Sequence, residues 1–146
     1  MFKIFELLFV LGLVSVATLL GSMIFFSGVM APLIFIKLEQ GTAGRFVRSV
    51  FPWYYVVIGG LSAIGALSLA ILHPLSSGLL AVIGIAAVVA RQVLMPSINV
   101  HRDKMTDGDK GAERDFQRLH SLSVWINGGQ MIGAITVLVM LGLTKF

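Results

Sequence analysis

Two stretches of the chain carry side chains whose types and spacing could support chemistry. The first holds a cation, two amides and a charged cluster: Arg91, Gln92, Asn99, His101, Arg102 and Asp103. The second holds polar side chains at intervals of three or four residues: His120, Ser123, Asn127 and Gln130. Residues at such intervals share one face of a helix, where they donate and accept hydrogen bonds. Together the two stretches predict one shared polar binding site.

Several kinds of reaction have no support in the sequence. The chain contains no cysteine, which excludes disulfides, thiolate metal ligands and a cysteine nucleophile. Motifs of hydrolases and nucleotide-binding loops are missing, and Asp103, Asp107 and Asp109 lack the glycine and glutamate of a calcium loop. We therefore favour a protein that is not an enzyme, and the cofactor and any bound metal stay unknown.

The composition indicates a membrane protein. Of the 146 residues, 57% are hydrophobic and 12% are charged, whereas soluble domains have about 45–50% and about 25%. The net charge of +4 comes mainly from basic residues in short segments between long apolar runs, and these residues form no stripe for nucleic acid. We expect the lipid bilayer, and no nucleic acid, as a partner. A homo-oligomer or a larger membrane complex is also compatible with the sequence.

Four apolar segments have the length of membrane-spanning helices, at about residues 5–36, 53–72, 75–100 and 119–143. The first is too long for a straight span, so Gly28 and Pro32 predict a kink or a helical extension near residues 31–37. We expect loops at 37–52 and 101–119, the second leading into an amphipathic helix from about Ala112. The prediction is an all-α integral membrane four-helix bundle that forms one domain over residues 1–146.

Short motifs occur in an order that resembles a known family. They are GSMIFF at residues 21–26, Ala31-Pro32 with Phe35, FPWYY at residues 51–55, Met95-Pro96 with Asn99, Arg102 and Asp103, and Leu119-His120 with Ser123 and Asn127. With these motifs the chain resembles the transmembrane protein 205-like family, also catalogued as a domain of unknown function. The resemblance implies a four-helix membrane domain without an assigned reaction. For eukaryotic members, it also implies a suggested role in export of, or resistance to, metal-containing compounds.

A metal-related role would need unusual ligands in this chain. Because cysteine is absent, a thiol relay has no atoms here. Only thioethers could bind a soft metal, for example those of Met23, Met30, Met95 and Met131.

Three classes of function follow from these observations. The first is binding, transport or resistance for a small molecule or a metal compound, with a polar site in the cytoplasmic half between spans 3 and 4. The second is an accessory or assembly subunit of a larger membrane complex, in which the polar side chains only join helices. The third is a haem-binding redox protein that uses histidine ligands. In the first class we expect Arg91, a costly charge at membrane depth, to face the bundle and meet the fourth helix.

The lysine and arginine distribution predicts the orientation in a bacterial inner membrane. Lys3 and Lys145 fall on one side, and eight basic residues on the other: Lys37, Arg45, Arg48, Arg102, Lys104, Lys110, Arg114 and Arg118. Positive residues concentrate in the cytoplasm, so both termini should face away from it. Reporter fusions at Lys3 and after Phe146 should be active only on the non-cytoplasmic side. A cytoplasmic carboxyl terminus would contradict both the orientation and the placement of the site.

Overall fold

Four long helical spans make up residues 2–144, the part of the chain that the computed structural model describes. Span 1 consists of α1 (Phe2–Phe25), a π-helical turn (Phe26–Met30) and α2 (Ala31–Lys37). Span 2 is α3 (Gln40–Leu69). Span 3 consists of α4 (Pro74–Val89), a second π-helical turn (Ala90–Leu94) and α5 (Met95–Thr106), and span 4 is α6 (Lys110–Gly142). The described residues contain no strand, so the all-α four-helix prediction is confirmed.

Each span is long and apolar enough to cross a membrane. At ~1.5 Å per residue, a helix the length of α6 measures about 50 Å, whereas the hydrocarbon core is ~30 Å thick. Large apolar side chains such as Leu67, Trp125 and Ile132 are exposed on the outside of the bundle. A bilayer would cover that surface, and the chain is an integral membrane protein.

The two segments expected as loops are mostly helical. Helix α3 already begins at Gln40, so only Leu38 and Glu39 separate spans 1 and 2. Span 3 continues to Thr106, and α6 begins at Lys110. The expectation of loops at 37–52 and 101–119 is wrong because the helices continue as polar extensions beyond the apolar segments. The helix expected from about Ala112 into the fourth span is confirmed.

A three-residue turn, Asp107–Asp109, joins spans 3 and 4. Gly108 has a φ of 93°, a left-handed conformation that glycine adopts without a steric penalty. The Asp109 carboxylate accepts hydrogen bonds from the backbone N–H groups of Gly111 and Ala112, and so caps α6. Asp109 therefore has a structural role in this turn.

Both π-helical turns precede a proline. The turn Phe26–Met30 ends two residues before Pro32, and the turn Ala90–Leu94 ends two residues before Pro96. Proline has no N–H to donate, and its ring crowds the carbonyl of the preceding turn, so the helix widens there. The distortion expected near residues 31–37 thus lies one turn earlier, and α2 is the helical extension.

The spans pack into one bundle. Helix α3 contacts both α1 and α4, and α6 contacts α1, α4 and α5. The largest fully buried apolar side chains lie in this bundle: Val16, Leu19, Met23, Ile58, Leu69, Leu80 and Val137. The core therefore centres on the part of the bundle where α1, α3, α4 and α6 meet, and it continues into α5 through Met95 and Ile98.

Helix α2 is the exception to this packing. Its Ile34 packs against Ala43 and Val47 of α3. No Cα atom of α2 lies within 8 Å of a Cα atom of α5 or α6, three helices that lie entirely within the described residues. We call the resulting opening between Ala31–Lys37 and the first half of α6 the α2–α6 gap.

Gly65 of α3 lies at a point where α1, α3 and α4 pack closely together. A Cβ atom there would lie 3.0 Å from Leu80 Cδ1 and 3.6 Å from Ser15 Cβ. A Cβ atom on Gly60, which lies on the same helix, would meet no atom within 4 Å. Small residues of this kind let membrane helices pack closely.

Substitution Gly65→Val should therefore destabilise the bundle by about 1–3 kcal/mol, the usual cost of overpacking. The matched variant Gly60→Val changes helix propensity equally but should have little further effect, since its side chain meets open space. Unfolding of the purified protein in detergent, followed by circular dichroism, measures the difference. An equal loss in both variants would contradict the close packing at Gly65.

Candidate functional site

A cavity of about 270 Å³ lies at the end of the bundle that contains the Asp107–Asp109 turn. All four spans contribute to its wall: the carboxyl-terminal parts of spans 1 and 3 and the amino-terminal parts of spans 2 and 4. Consecutive spans run in opposite directions, which brings these four parts to one end. The predicted site lies between spans 3 and 4 alone, whereas the cavity wall also includes residues of spans 1 and 2, several of them aromatic.

Aromatic side chains form one wall of the cavity. Phe51, Tyr54 and Tyr55 share a face of α3, since they are separated by three and four residues. Phe26, the first residue of the π-helical turn in span 1, stacks on Tyr54 with ring centroids 4.5 Å apart. The Phe26 ring also meets Phe51 edge to face at 5.3 Å. This wall joins spans 1 and 2 beside the cavity.

A chain of hydrogen bonds crosses from this wall to the fourth span. The Tyr54 hydroxyl donates to Asn127 Oδ1 at 2.7 Å, and Asn127 Nδ2 donates to Ser27 Oγ at 3.0 Å. One amide side chain thereby connects spans 1, 2 and 4. Ser27 lies in the π-helical turn of span 1, so the widened turn supplies the third member of the chain.

Asn99 contributes a polar atom from the third span. Its Oδ1 atom is buried and has no hydrogen-bond partner among the described residues, and the residue lines the cavity. A buried acceptor without a partner costs about 1–3 kcal/mol. A hydrogen-bond donor placed in the cavity would satisfy this atom.

Two arginines line the cavity near the polar end of the bundle. Arg48 Nη1 lies 2.9 Å from one carboxylate oxygen of Asp103 and 3.2 Å from the other. Arg102 Nη1 donates to the Gly44 carbonyl at 3.0 Å, and its guanidinium carbon lies 5.3 Å from the centre of the Phe116 ring. Arg102 forms no salt bridge within the described part of the chain, although the Asp103 carboxylate also acts electrostatically on its charge. The cavity therefore carries an excess of positive charge at this end.

The fourth span supplies a histidine and a hydroxyl beside these arginines. The His120 ring stacks on Phe116 with an interplanar angle of 9° and centroids 5.9 Å apart. The Ser123 hydroxyl donates to the His120 carbonyl at 2.7 Å. Both residues line the cavity together with Asn127, as their shared helix face predicts.

The structure brings half of the sequence-predicted residues to the cavity wall: Asn99, Arg102, His120, Ser123 and Asn127. Asp103 lies outside the wall and pairs with Arg48. His101 does not line the cavity either. Its Nδ1 lies 2.8 Å from the Ser97 carbonyl oxygen, and its Nε2 lies 3.8 Å from Asp115. Gln130 is buried elsewhere and donates to the Ile83 carbonyl at 3.0 Å, which joins α6 to α4.

Arg91 and Gln92 lie apart from this cavity. They line a shallow depression between span 2 and the second π-helical turn, where Arg91 Nε donates to the Pro52 carbonyl at 3.3 Å. Eight residues separate Arg91 from Asn99, which is about 12 Å along a helix. Arg91 also follows the buried Ala90 and emerges towards span 2. The expected contact of Arg91 with the fourth helix is therefore not formed.

Sequence reasoning missed Ser27, Arg48 and Tyr54. The aromatic segment at 51–55 suggests a membrane-interface belt, but only Trp53 matches it, with 72% of its surface exposed. Tyr54 and Tyr55 are 8% and 3% exposed, and their spacing from Phe51 is the signal for an inward face. Arg48 enters the sequence prediction only as one of the basic residues that indicate the orientation. Ser27 forms no polar pattern, because the residues three or four positions away from it are apolar, with Met23 and Met30 among them.

The described residues lack the side-chain clusters that hold metal ions in proteins. Within residues 2–144, no group of three or more histidine, aspartate or glutamate side chains is placed to do so. Met95 is the one methionine on the cavity wall among the residues described.

Comparison with known proteins gives one match. The profile of a family described as a domain of unknown function (DUF4149) matches residues 14–106, more than half of the chain. The matched region holds the cavity residues of spans 1, 2 and 3 and ends before α6. No curated protein and no solved structure matches the chain.

The hydrogen bond from Tyr54 to Asn127 gives a testable contribution to stability. Tyr54→Phe should destabilise the protein by about 0.6 kcal/mol, and by at most about 1.7 kcal/mol, the range for hydrogen bonds between membrane helices. Tyr55→Phe removes a neighbouring hydroxyl for which the described residues provide no hydrogen-bond partner, so it should cost less. Denaturation of both variants in detergent compares them. A larger loss for Tyr55→Phe would contradict the role of the Tyr54 hydroxyl.

Proposed function

The chain belongs to this family of unknown function, and we propose that it binds a small organic molecule in the four-span cavity. We propose that this binding serves the transport of the molecule or resistance to it. The observation that carries the proposal is that every span contributes a polar side chain to the wall: Ser27, Tyr54, Asn99 and Asn127. Convergent polar groups in a mainly apolar cavity are typical of ligand sites. We propose the whole chain, residues 1–146, as the one domain that forms the site.

The motif order supports a closer relationship. We propose that the matched family and the transmembrane protein 205-like family are related. The matched residues 14–106 include the motifs at residues 21–26 and 51–55 and the Met95-Pro96 pair. An organic ligand fits better than a metal compound, since Met95 alone of the four methionines noted in the sequence lines the cavity.

An assembly role is the second candidate, and specific contacts favour it in part. Gln130 and Asn127 both make hydrogen bonds between spans, as polar residues do when they only join helices. That role does not account for the unpartnered Asn99 oxygen on the cavity wall. The haem interpretation has weaker support, because only His120 of the pair His101 and His120 lines the cavity.

We propose that the cavity opens towards the cytoplasm of a bacterial cell, with both termini on the other side of the inner membrane. Lys37 and Lys104 end or nearly end spans 1 and 3, Arg45 lies in the second turn of span 2, and Lys110 begins span 4. The eight basic residues of the sequence count thus belong to the cavity end of the bundle. This concentration is the pattern of a cytoplasmic face.

A cavity-filling variant tests the proposal. Ser123→Phe places a ring in the cavity, whereas Thr136→Phe, on the same helix, places it on the exposed surface. Native mass spectrometry of the full chain purified in detergent should find a retained organic molecule on the natural protein and on Thr136→Phe, and none on Ser123→Phe. Failure of the natural chain to retain any molecule, or equal retention by Ser123→Phe, would overturn the proposal.

Removal of single polar groups provides the second test. His120→Ala should reduce retention by about tenfold, since a lost polar partner costs ~1–3 kcal/mol. Asn127→Ala should reduce it at least as much, because it also releases Tyr54 and Ser27 from their contacts in the cavity wall. Asp107→Ala is the matched control, because Asp107 lies in the turn and outside the cavity wall. Asp109 is unsuitable as a control because it caps α6. Gel filtration must show folded protein, and folded variants with unchanged retention would eliminate these two residues from the site.

A further inference from the structure

We infer that the occupant of the cavity is a single-chain lipid with an anionic headgroup that carries a hydroxyl, and that it enters sideways from the bilayer through the α2–α6 gap. The inference rests on the proposed function and names the class of ligand. Three features carry it: an apolar opening at membrane depth, unpaired positive charge beyond it, and an acceptor next to that charge.

The opening is bordered by apolar side chains that also line the cavity. Phe35 of α2 and Val124 of α6 stand on its two sides, each with 57% of its surface exposed. Helix α2 is packed on α3 alone, so no helix among the described residues closes the gap. Phe35 and Val124 belong to spans that are apolar enough to cross a membrane, and α2 packs on the first turns of α3, so we place the gap at the border between the headgroups and the lipid tails. An acyl chain can lie in such an opening without desolvating polar groups.

The charge at the cavity selects an anion. Arg48 and Arg102 line the wall, and the wall residues include no aspartate or glutamate in the described chain. Arg48 forms a salt bridge with Asp103, whereas Arg102 forms none with any of the described residues. The bond to the Gly44 carbonyl and the Phe116 ring hold the Arg102 guanidinium in place. A planar guanidinium forms paired hydrogen bonds with phosphate or carboxylate oxygens.

Asn99 adds the requirement for a hydroxyl. It precedes Arg102 by three residues on α5, so the two side chains are neighbours on one helix face. Its buried Oδ1 atom accepts no hydrogen bond among the described residues. A fully ionised phosphate or carboxylate has no proton for this atom, but a hydroxyl next to it would donate to the atom. A phosphate ester of glycerol has both groups on neighbouring carbons.

The volume of the cavity suits the headgroup of a lipid and not its whole acyl chain. A volume of about 270 Å³ is near the lower end of the ~300–1,000 Å³ that ligand pockets have, which is small for a whole lipid. It holds a headgroup and the first carbons of a chain, and the rest of the chain must leave through the gap. A single-chain lipid such as lysophosphatidic acid meets all of these conditions.

Photo-crosslinking tests the inference. The full chain is reconstituted in phosphatidylcholine vesicles that contain lysophosphatidic acid with a diazirine on its acyl chain. After illumination, mass spectrometry should find labelled peptides from α2 and α6. The matching diazirine analogue of lysophosphatidylcholine, whose headgroup has no net charge, should label these peptides at least about tenfold less. Equal labelling by both lipids would overturn the choice of an anionic headgroup.

Variants of the arginines test the charge directly. Arg48→Gln and Arg102→Gln should each lower the labelling severalfold, and Arg48→Lys should keep more of it than Arg48→Gln. Arg45→Gln is the matched control, because Arg45 is exposed on α3, bonds Thr42 and does not line the cavity. Labelling that does not change in either glutamine variant would contradict the anion site.

The route is tested by closing the gap. The chain has no cysteine, so Phe35→Cys and Val124→Cys can be bridged specifically by a flexible bismaleimide. The bridged protein should lose the labelling, and each single variant treated with the same reagent should keep more of it. Unchanged labelling after bridging would overturn lateral entry. Displacement of the labelling by excess inorganic phosphate would instead identify a soluble anion as the occupant and overturn the lipid.

These outcomes are separable from those of the proposed function. If the natural chain retains an organic molecule that Ser123→Phe loses, but the lipid labelling fails, the cavity binds another ligand and only this inference is wrong. If no molecule is retained and no labelling occurs, both are wrong.

Discussion

The amide of Asn127 is the contact around which the cavity is arranged. It accepts a hydrogen bond from Tyr54 and donates one to Ser27, and so fixes the rotation of three spans relative to one another. The hydrocarbon of a bilayer offers no water to replace such partners. Once Tyr54 is held, its ring supports the stack with Phe26. The aromatic wall therefore depends on one side chain of span 4, and the widened turn of span 1 supplies the Ser27 partner of that side chain.

The sequence predicts the spans well because a membrane imposes a simple requirement. A helix must be apolar for about twenty residues to cross ~30 Å of hydrocarbon, and four such segments are visible. Where each helix ends is a different matter. Composition changes at Trp53 and near Leu119, but the helices begin at Gln40 and Lys110, since polar residues continue a helix outside the membrane. Apolar length therefore predicts the number of helices and not their bounds.

The site was predictable only where one helix determines it. His120, Ser123 and Asn127 share a face by spacing alone, and that face lines the cavity. Tyr54 and Ser27 belong to the site through the relative rotation of three helices, which no single periodic pattern contains. The prediction for Arg91 is wrong for the same reason. Its partner is the Pro52 carbonyl on span 2, whereas the prediction was a contact with span 4.

The two widened turns differ in what lies beyond them: α5 belongs to the main core through Met95 and Ile98, whereas α2 lies outside it. Spans 1 and 3 run in the same direction, and in each the π-helical turn separates a long segment in the core from a short terminal segment, α2 or α5, beside the cavity. Spans 2 and 4 have no such joint among the described residues. Helix α2 is held by a small cluster of Ile34, Ala43 and Val47. The mechanical consequence is that the cavity wall can change shape at the cost of that small cluster, while the main core keeps its packing.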